Sequence, residues 1–393
     1  MTPPTVGVLA ETATGEHRVS VTPDVAGQLT RLGFRVLVEV GAGRAACFPD
    51  VDYLAVGGEV LTRGEVLASA HLLLSLHVPD PGTLSEGQVL LGMLAPLEQP
   101  QLMAELADRG VIAVSLDQVP RTLSRAQSMD PLTSQANVAG YKAVLVAADA
   151  YPGYFPMLMT AAGTVRPAEV LVLGAGVAGL QAIGTAKRLG AVVRGYDVRP
   201  EARGEIESLG ARYLEVNALT ALNALGEGGY ARALTDAEAK AQRCALQDAI
   251  GHHDVVITTA QVPGRRPPVL VTTQALDRMR AGSVVVDLAA GRLGGNVEGS
   301  VPDQRVVTES GVIIIGAGNL PSAVPRAAST AYARNVLAVV ASLYPEGHLV
   351  LDPQDEVSAA IVITQAGRVV HPGTAALCAR QDREVDRESG LVH

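Results

Sequence analysis

Two stretches of this chain concentrate residues whose types and spacing could do chemistry. The first is GAGVAG, in which Gly174, Gly176 and Gly179 stand between the apolar run EVLVL and the helix-like VAGLQAIGTAKRLG. A first glycine makes a tight turn, a second lets backbone approach a pyrophosphate, and a third lets helix and strand pack closely. The start of the helix then offers unpaired N–H groups and a positive dipole end to phosphate oxygens. Asp197 closes the next apolar run, AVVRGYD, where a carboxylate accepts from adenosine ribose hydroxyls. That acid favours NAD over NADP, and Arg199, two residues on, weakens the preference. The second stretch is SRAQSMDPLTSQANVAGY, residues 124–141, polar and immediately followed by a long apolar helical pattern. Its Gln127 and Asp130, with a nearby arginine, could hold the carboxamide and ring of a nicotinamide. Asp130 or Thr133 could equally serve as a helix N-cap, and the two roles are compatible.

Other catalytic patterns are missing. The histidines show no HExxH or HxxxH spacing, and Cys47, Cys244 and Cys378 form no CxxC pair, so the sequence assigns no metal site. Neither a GxSxG elbow nor a GxxxxGK[ST] loop occurs. What remains is a dinucleotide site without an acid–base pair. Hydride transfer between two nicotinamides needs positioning and exclusion of water, and no proton movement. Two glycine-rich decoys, GAGRAA at Gly41 and GAGNLP at Gly316, are interrupted by Pro49 and Pro321.

The elements that must position these groups follow from the apolar pattern. Hydrophobic residues make up 48 % of the 393 residues and charged ones 18 %, as in buried parallel sheets wrapped by helices. Strand-like runs TVGVLA, FRVLVEV, HLLLSLHV, QVLLGML and VIAVSL alternate with helical patterns, and EVLVL, AVVRGY, DVVITT, SVVVDL and GVIIIG form a second series. The reading is α/β, with two doubly wound Rossmann-like domains of parallel sheets. Residues 1–130 with 345–393 form an N-terminal domain completed by the C-terminal tail. Residues 150–325 form the NAD-binding domain, and helices over about 133–150 and 326–344 join the two. VSAAIVIT in the tail is a further strand candidate. A formal charge of −9 and the absence of tryptophan argue against nucleic acid. The start of the chain has no signal-peptide pattern, and the uncharged run Val170–Ala186 reads as strand, turn and helix instead of a membrane span. The expectation is a soluble cytoplasmic protein without direct membrane insertion.

SRAQSMD with SQANVAGYKAV, MLMTAAGTV, VLGAGVAGLQAIGTAKRLGA and GYDVR resembles the NAD(H)-binding component of proton-translocating nicotinamide nucleotide transhydrogenases. The likeness also takes in GEHRVSVTPD, TTAQVPGRRPPVL and VVHP. It implies direct hydride transfer between NAD(H) here and NADP(H) on a partner component, coupled to proton movement. It also implies docking on a membrane-spanning proton-channel subunit supplied as a separate chain, a peripheral place on the inner face of the cytoplasmic membrane, and a homodimer. The resemblance assigns Arg121, Gln127 and Asp130 to the catalytic loop, with Arg125, Ser128 and Thr133 beside it. PRTLSRAQ is one residue longer than the family pattern, which leaves Arg121 and Arg125 as competing candidates. Val177, Asp197, Val198 and Arg199 match adenosine-side contacts, and Gly229 and Tyr230 match a tyrosine loop that closes over nucleotide. Alanine dehydrogenases share the resemblance, but Ser75 and Met93 stand where that reaction needs a lysine and a histidine. Gly291 and Arg292 follow the late strand where its aspartate would be, and Ala317 replaces a histidine in the GAGN turn. An amino-acid dehydrogenase and a non-catalytic NAD(H) sensor are the alternative readings.

Overall fold

The computed structural model describes residues 4–216, 235–261 and 265–390, and these form two compact units. The first runs up to Gln135 and resumes at Val324; the second takes residues 136–323.

In the first unit, short runs of branched and aliphatic residues become β1 (Thr5–Val8), β2 (Arg35–Glu39), β3 (Glu59–Leu61), β4 (Leu72–Leu74), β5 (Val89–Gly92) and β6 (Ile112–Ser115). All pair in parallel in the order β3-β2-β1-β4-β5-β6. Because both faces are covered, β1, β4 and β5 are buried along their whole length. The helix Pro325–Leu343 lays Tyr332, Ala333, Val336, Val339 and Val340 into one face of this core.

The second unit contains the hairpin β7 (Leu158–Thr160) and β8 (Gly163–Val165), then β9 (Glu169–Leu173), β10 (Val192–Tyr196), β11 (Arg212–Tyr213), β12 (Val255–Thr258), β13 (Val284–Asp287), β14 (Arg305–Val307) and β15 (Ile313–Gly316). Its seven-stranded sheet has the order β11-β10-β9-β12-β13-β15-β14, parallel except for the last pair. In both sheets the strand order reverses beside the first strand, between β1 and β4 and between β9 and β12. Such a switch point opens a crevice beyond the carboxyl ends of the strands, the ordinary ligand position in open α/β sheets. The fold is the α/β pair of Rossmann-like sheets anticipated from the apolar runs.

Several boundaries differ from the sequence reading. The first long helix starts at Pro131 and not at Thr133, because proline suits a first helical position and Asp130 caps the turn. The second covers Pro325–Leu343, again entered through proline. VSAAIVIT is not one strand. Residues Glu356–Ile361 are helical, since the Asp355 carboxylate accepts from the N–H groups of Val357 (3.1 Å) and Ser358 (2.8 Å). Val357 and Ile361, four residues apart, then share one buried helix face; beyond the helix Val362 is extended and bridges Val114, and Thr364–Gln365 forms a short strand. Among the described residues no helix is long and apolar enough to cross a membrane.

Candidate dinucleotide site

The fingerprint turn leaves β9 at the switch point of the second sheet. Gly174 sits at φ +100°, which favours glycine, and Thr259 at the end of β12 fixes the turn by donating its hydroxyl to the Gly174 carbonyl (3.1 Å). A methyl group on Gly176 would meet nothing within 4 Å, so this backbone faces open space. On Gly179 it would come within 1.8 Å of the Gly174 carbonyl oxygen, because helix and strand touch there backbone to backbone. Val177 opens the helix Val177–Arg188, whose N-cap Gly176 provides no side-chain acceptor. The first-turn N–H groups therefore face the open side of the turn, as a phosphate requires.

Asp197 follows β10 and is buried, with Val198 half-buried beside it. Its Oδ2 accepts from the Ala175 N–H (2.7 Å) and Arg199 Nη2 (3.2 Å), and its Oδ1 from the Arg199 N–H (2.9 Å) and Nε (3.1 Å). This hydrogen bonding and charge raise the Arg199 pKa above its ordinary value despite partial burial. Farther along, Asp287 at the end of β13 takes the Thr258 hydroxyl and the N–H groups of Ala289, Asn296 and Val297. Asn296 in turn grips Ala260 and Pro268, which shapes the rim beyond β12. Thr259 and Asn296 were not singled out from sequence. Their positions just past the strand ends flanking a Gly-x-Gly turn were the available signal.

In the first unit, the polar stretch is a 3-10 helix over Ser124–Met129 leading into Pro131. Asp130 is buried and organises it: Oδ2 accepts from Arg121 Nε (3.1 Å) and from the Thr133 hydroxyl (2.5 Å), while Oδ1 accepts from the Thr133 N–H (3.0 Å). Arg121 Nη2 also donates to the Thr133 hydroxyl (3.0 Å). Arg125 turns elsewhere, to Asp355 at 2.5 Å. Of the two candidate arginines, Arg121 shares the Asp130 network. Gln127 and Ser128 are exposed, and Asn335 holds the Ser128 carbonyl (2.8 Å). Gly229 and Tyr230 lie outside the described residues.

A second polar group occupies the switch point of the first sheet and was missed from sequence except for GEHR. Arg18 donates to both Glu16 oxygens (2.8 and 2.6 Å) and to Gln135 (2.9 Å), all buried. His77 lies 3.1 Å from Glu11. Burial lowers its pKa, but the hydrogen bond to Glu11 and the charges of Glu11 and Glu16 outweigh that and the net shift is upward. Burial pushes Asp117 up. Tyr332 donates to the Ser75 carbonyl at 2.9 Å.

Two α/β units, one with a dinucleotide turn at its switch point and the other with a polar loop entering a long helix, define a class of nucleotide-binding two-unit proteins. The chain belongs to the alanine dehydrogenase/PNT family: residues 7–139 match the model described as "Alanine dehydrogenase/PNT, N-terminal domain" and residues 143–372 its C-terminal counterpart. It is 39 % identical over 393 residues to "NAD(P) transhydrogenase subunit alpha" of Cereibacter sphaeroides, covering 98 % of this chain and 75 % of that protein. Among solved structures it is similar to transhydrogenase from Sinorhizobium meliloti, with TM-score 0.81 and 37 % identity over 94 % of this chain and 99 % of that one. An L-alanine dehydrogenase structure gives TM-score 0.79 at 26 % identity, over 96 % and 99 % of the two chains.

Proposed function

We propose that this chain is the NAD(H)-binding subunit of a proton-translocating NAD(P) transhydrogenase, passing hydride directly between NAD(H) and NADP(H). The observation that carries the reading is the open turn at Gly176, flanked by first-turn helix N–H groups that carry no side-chain cap among the described residues and followed by Asp197. Relatives at about 40 % identity named as transhydrogenase alpha subunits support the reaction class. Gly174, Gly176, Val177 and Gly179 would receive the pyrophosphate, and Asp197 and Val198 the adenosine, with Arg199 beside the acid on the adenosine side. Bound NAD(H) would supply the hydride donor or acceptor carbon. Arg121, Gln127 and Asp130 are the nicotinamide-side residues of this reading: Asp130 fixes Arg121 and Thr133, while exposed Gln127 can meet a carboxamide with both a donor and an acceptor. The proton moves elsewhere, in a membrane-spanning partner subunit, and NADP(H) binds a further component. This chain then works on the inner face of the cytoplasmic membrane.

A homodimer is part of the proposal. Among the described residues the hairpin β7–β8 pairs with no other strand, and around it Tyr154, Met157, Met159 and Val165 are 57 %, 55 %, 74 % and 43 % exposed. A second copy would cover such an apolar edge.

An alanine dehydrogenase must hold a keto-acid carboxylate. The Arg18 guanidinium is already engaged by Glu16 and Gln135, and Ser75 offers no charge. The deciding assay mixes this protein with an NADP(H)-binding transhydrogenase component and follows reduction of acetylpyridine-NAD by NADPH. Gln127→Ala is the control, and a parallel reaction contains NADH, pyruvate and ammonia. Transfer that collapses in the variant, without pyruvate reduction, supports the proposal. Turnover of pyruvate supports the dehydrogenase instead, and NADH binding without transfer supports a sensor.

A further inference from the structure

The Asp197 carboxylate is saturated before any nucleotide arrives. A carboxylate offers about four acceptor positions, and four N–H bonds fill them: two from the backbone of Ala175 and Arg199, two from the Arg199 guanidinium. The backbone pair is fixed by the course of the chain around the fingerprint turn. The guanidinium pair is not. Arg199 Nη2 also reaches the Ala175 carbonyl (3.1 Å), so this one side chain spans from the acid to the turn. Asp197 is only 9 % exposed on its side chain and Arg199 22 %, so the pair is shielded from water.

We propose that Arg199 competes with the adenosine ribose for Asp197 and thereby sets the balance between NAD(H) and NADP(H) at this site. The inference rests on the dinucleotide reading above. A ribose diol needs two acceptor positions on the acid, and only the two held by the guanidinium can be vacated. Binding of NAD(H) therefore requires Arg199 to swing away from Asp197. A 2′-phosphate makes the opposite demand. With the guanidinium left in place, Nε and Nη2 keep Asp197 neutralised, and the Nη1 hydrogens, which none of these bonds uses, are available to phosphate oxygens. Arginine suits such bridging because its planar fork presents five donors. The residue thus opposes the nucleotide that the acid favours and supports the one that it disfavours.

The test compares binding of NADH and NADPH to the intact protein by the change in nicotinamide fluorescence, for the natural chain, Arg199→Ala and Arg199→Met. The methionine variant keeps an aliphatic stem over the turn, and a melting curve for each variant reports folding. Loss of the guanidinium should tighten NADH by about three- to tenfold and weaken NADPH by a similar factor, the scale of one charge-assisted contact. Folded variants that bind NADH unchanged or more weakly overturn the competition while leaving the dinucleotide reading intact. A natural chain that binds neither nucleotide overturns both.

Discussion

The fingerprint glycines have separable duties, and substituting two of them one at a time should separate stability from binding. Gly179→Ala places a methyl carbon 1.8 Å from the Gly174 carbonyl oxygen and 2.8 Å from its carbon. Carbon–oxygen contacts of this kind settle near 3.3 Å, so the helix Val177–Arg188 must retreat by about 1.5 Å. Neither side of the clash is a side chain that can rotate away. The retreat would lift Ala182, Ile183 and Ala186, all fully buried, off the sheet. Overpacking costs about 1–3 kcal/mol, and backbone against backbone belongs at the upper end. For a unit of this size, about 3 kcal/mol corresponds to a drop of roughly 6–12 °C in apparent Tm. Gly176→Ala is the contrast. Its φ of −73° suits any residue and its added carbon touches nothing, so stability should stay within about 0.5 kcal/mol. The same methyl stands where a pyrophosphate must come close, so NADH affinity should fall at least about tenfold. Thermal melting and NADH titration read the two effects independently. Gly179→Ala melting with the natural chain would refute the packing argument, and Gly176→Ala binding NADH normally would refute the phosphate assignment.

Gly140→Ala and Gly184→Ala should have opposite signs although both lie in helices. An added carbon at Gly140 meets the Ala178 backbone oxygen at 2.1 Å, predicting a loss of about 2 kcal/mol or more in urea unfolding. Gly184 meets only the tip of Arg188 at 3.5 Å, predicting a gain of about 0.5–1 kcal/mol from helix propensity. His77 carries a pH signature. Its folded pKa lies above the unfolded value of about 6.5, so its stabilisation is fully present below that value and is lost as pH rises through the folded one. The gap in urea midpoint between the natural chain and His77→Gln should accordingly be larger at pH 6 than at pH 8.5; an equal gap contradicts the Glu11 pairing. Asp130→Ala removes the cap and the anchor of Arg121 together. A loss of about 1–2 kcal/mol in urea unfolding is expected, with a drop in hydride transfer measured beside it.

Much of this architecture is written in the chain itself. Runs such as EVLVL are continuous because parallel strands are buried on both faces, so ten strands of the two sheets are legible, whereas the short edge strands β3, β11 and β14 carry no such run and were not anticipated. The glycine spacing, Pro131 and Asp130 mark where helices begin, because backbone conformation and unpaired N–H groups impose those residue types locally. VSAAIVIT misled because a short apolar run carries no period of its own, and the Asp355 cap decided for helix. Only the tertiary structure shows that Arg121 joins the Asp130 network while Arg125 pairs with Asp355, more than two hundred positions away in the chain. It also revealed that Glu16 and Gln135 engage Arg18 and that Arg199 fills the acceptor positions of Asp197. Such pairings depend on which loops converge at a sheet's switch point, and residues distant in sequence meet there only once the strands have paired.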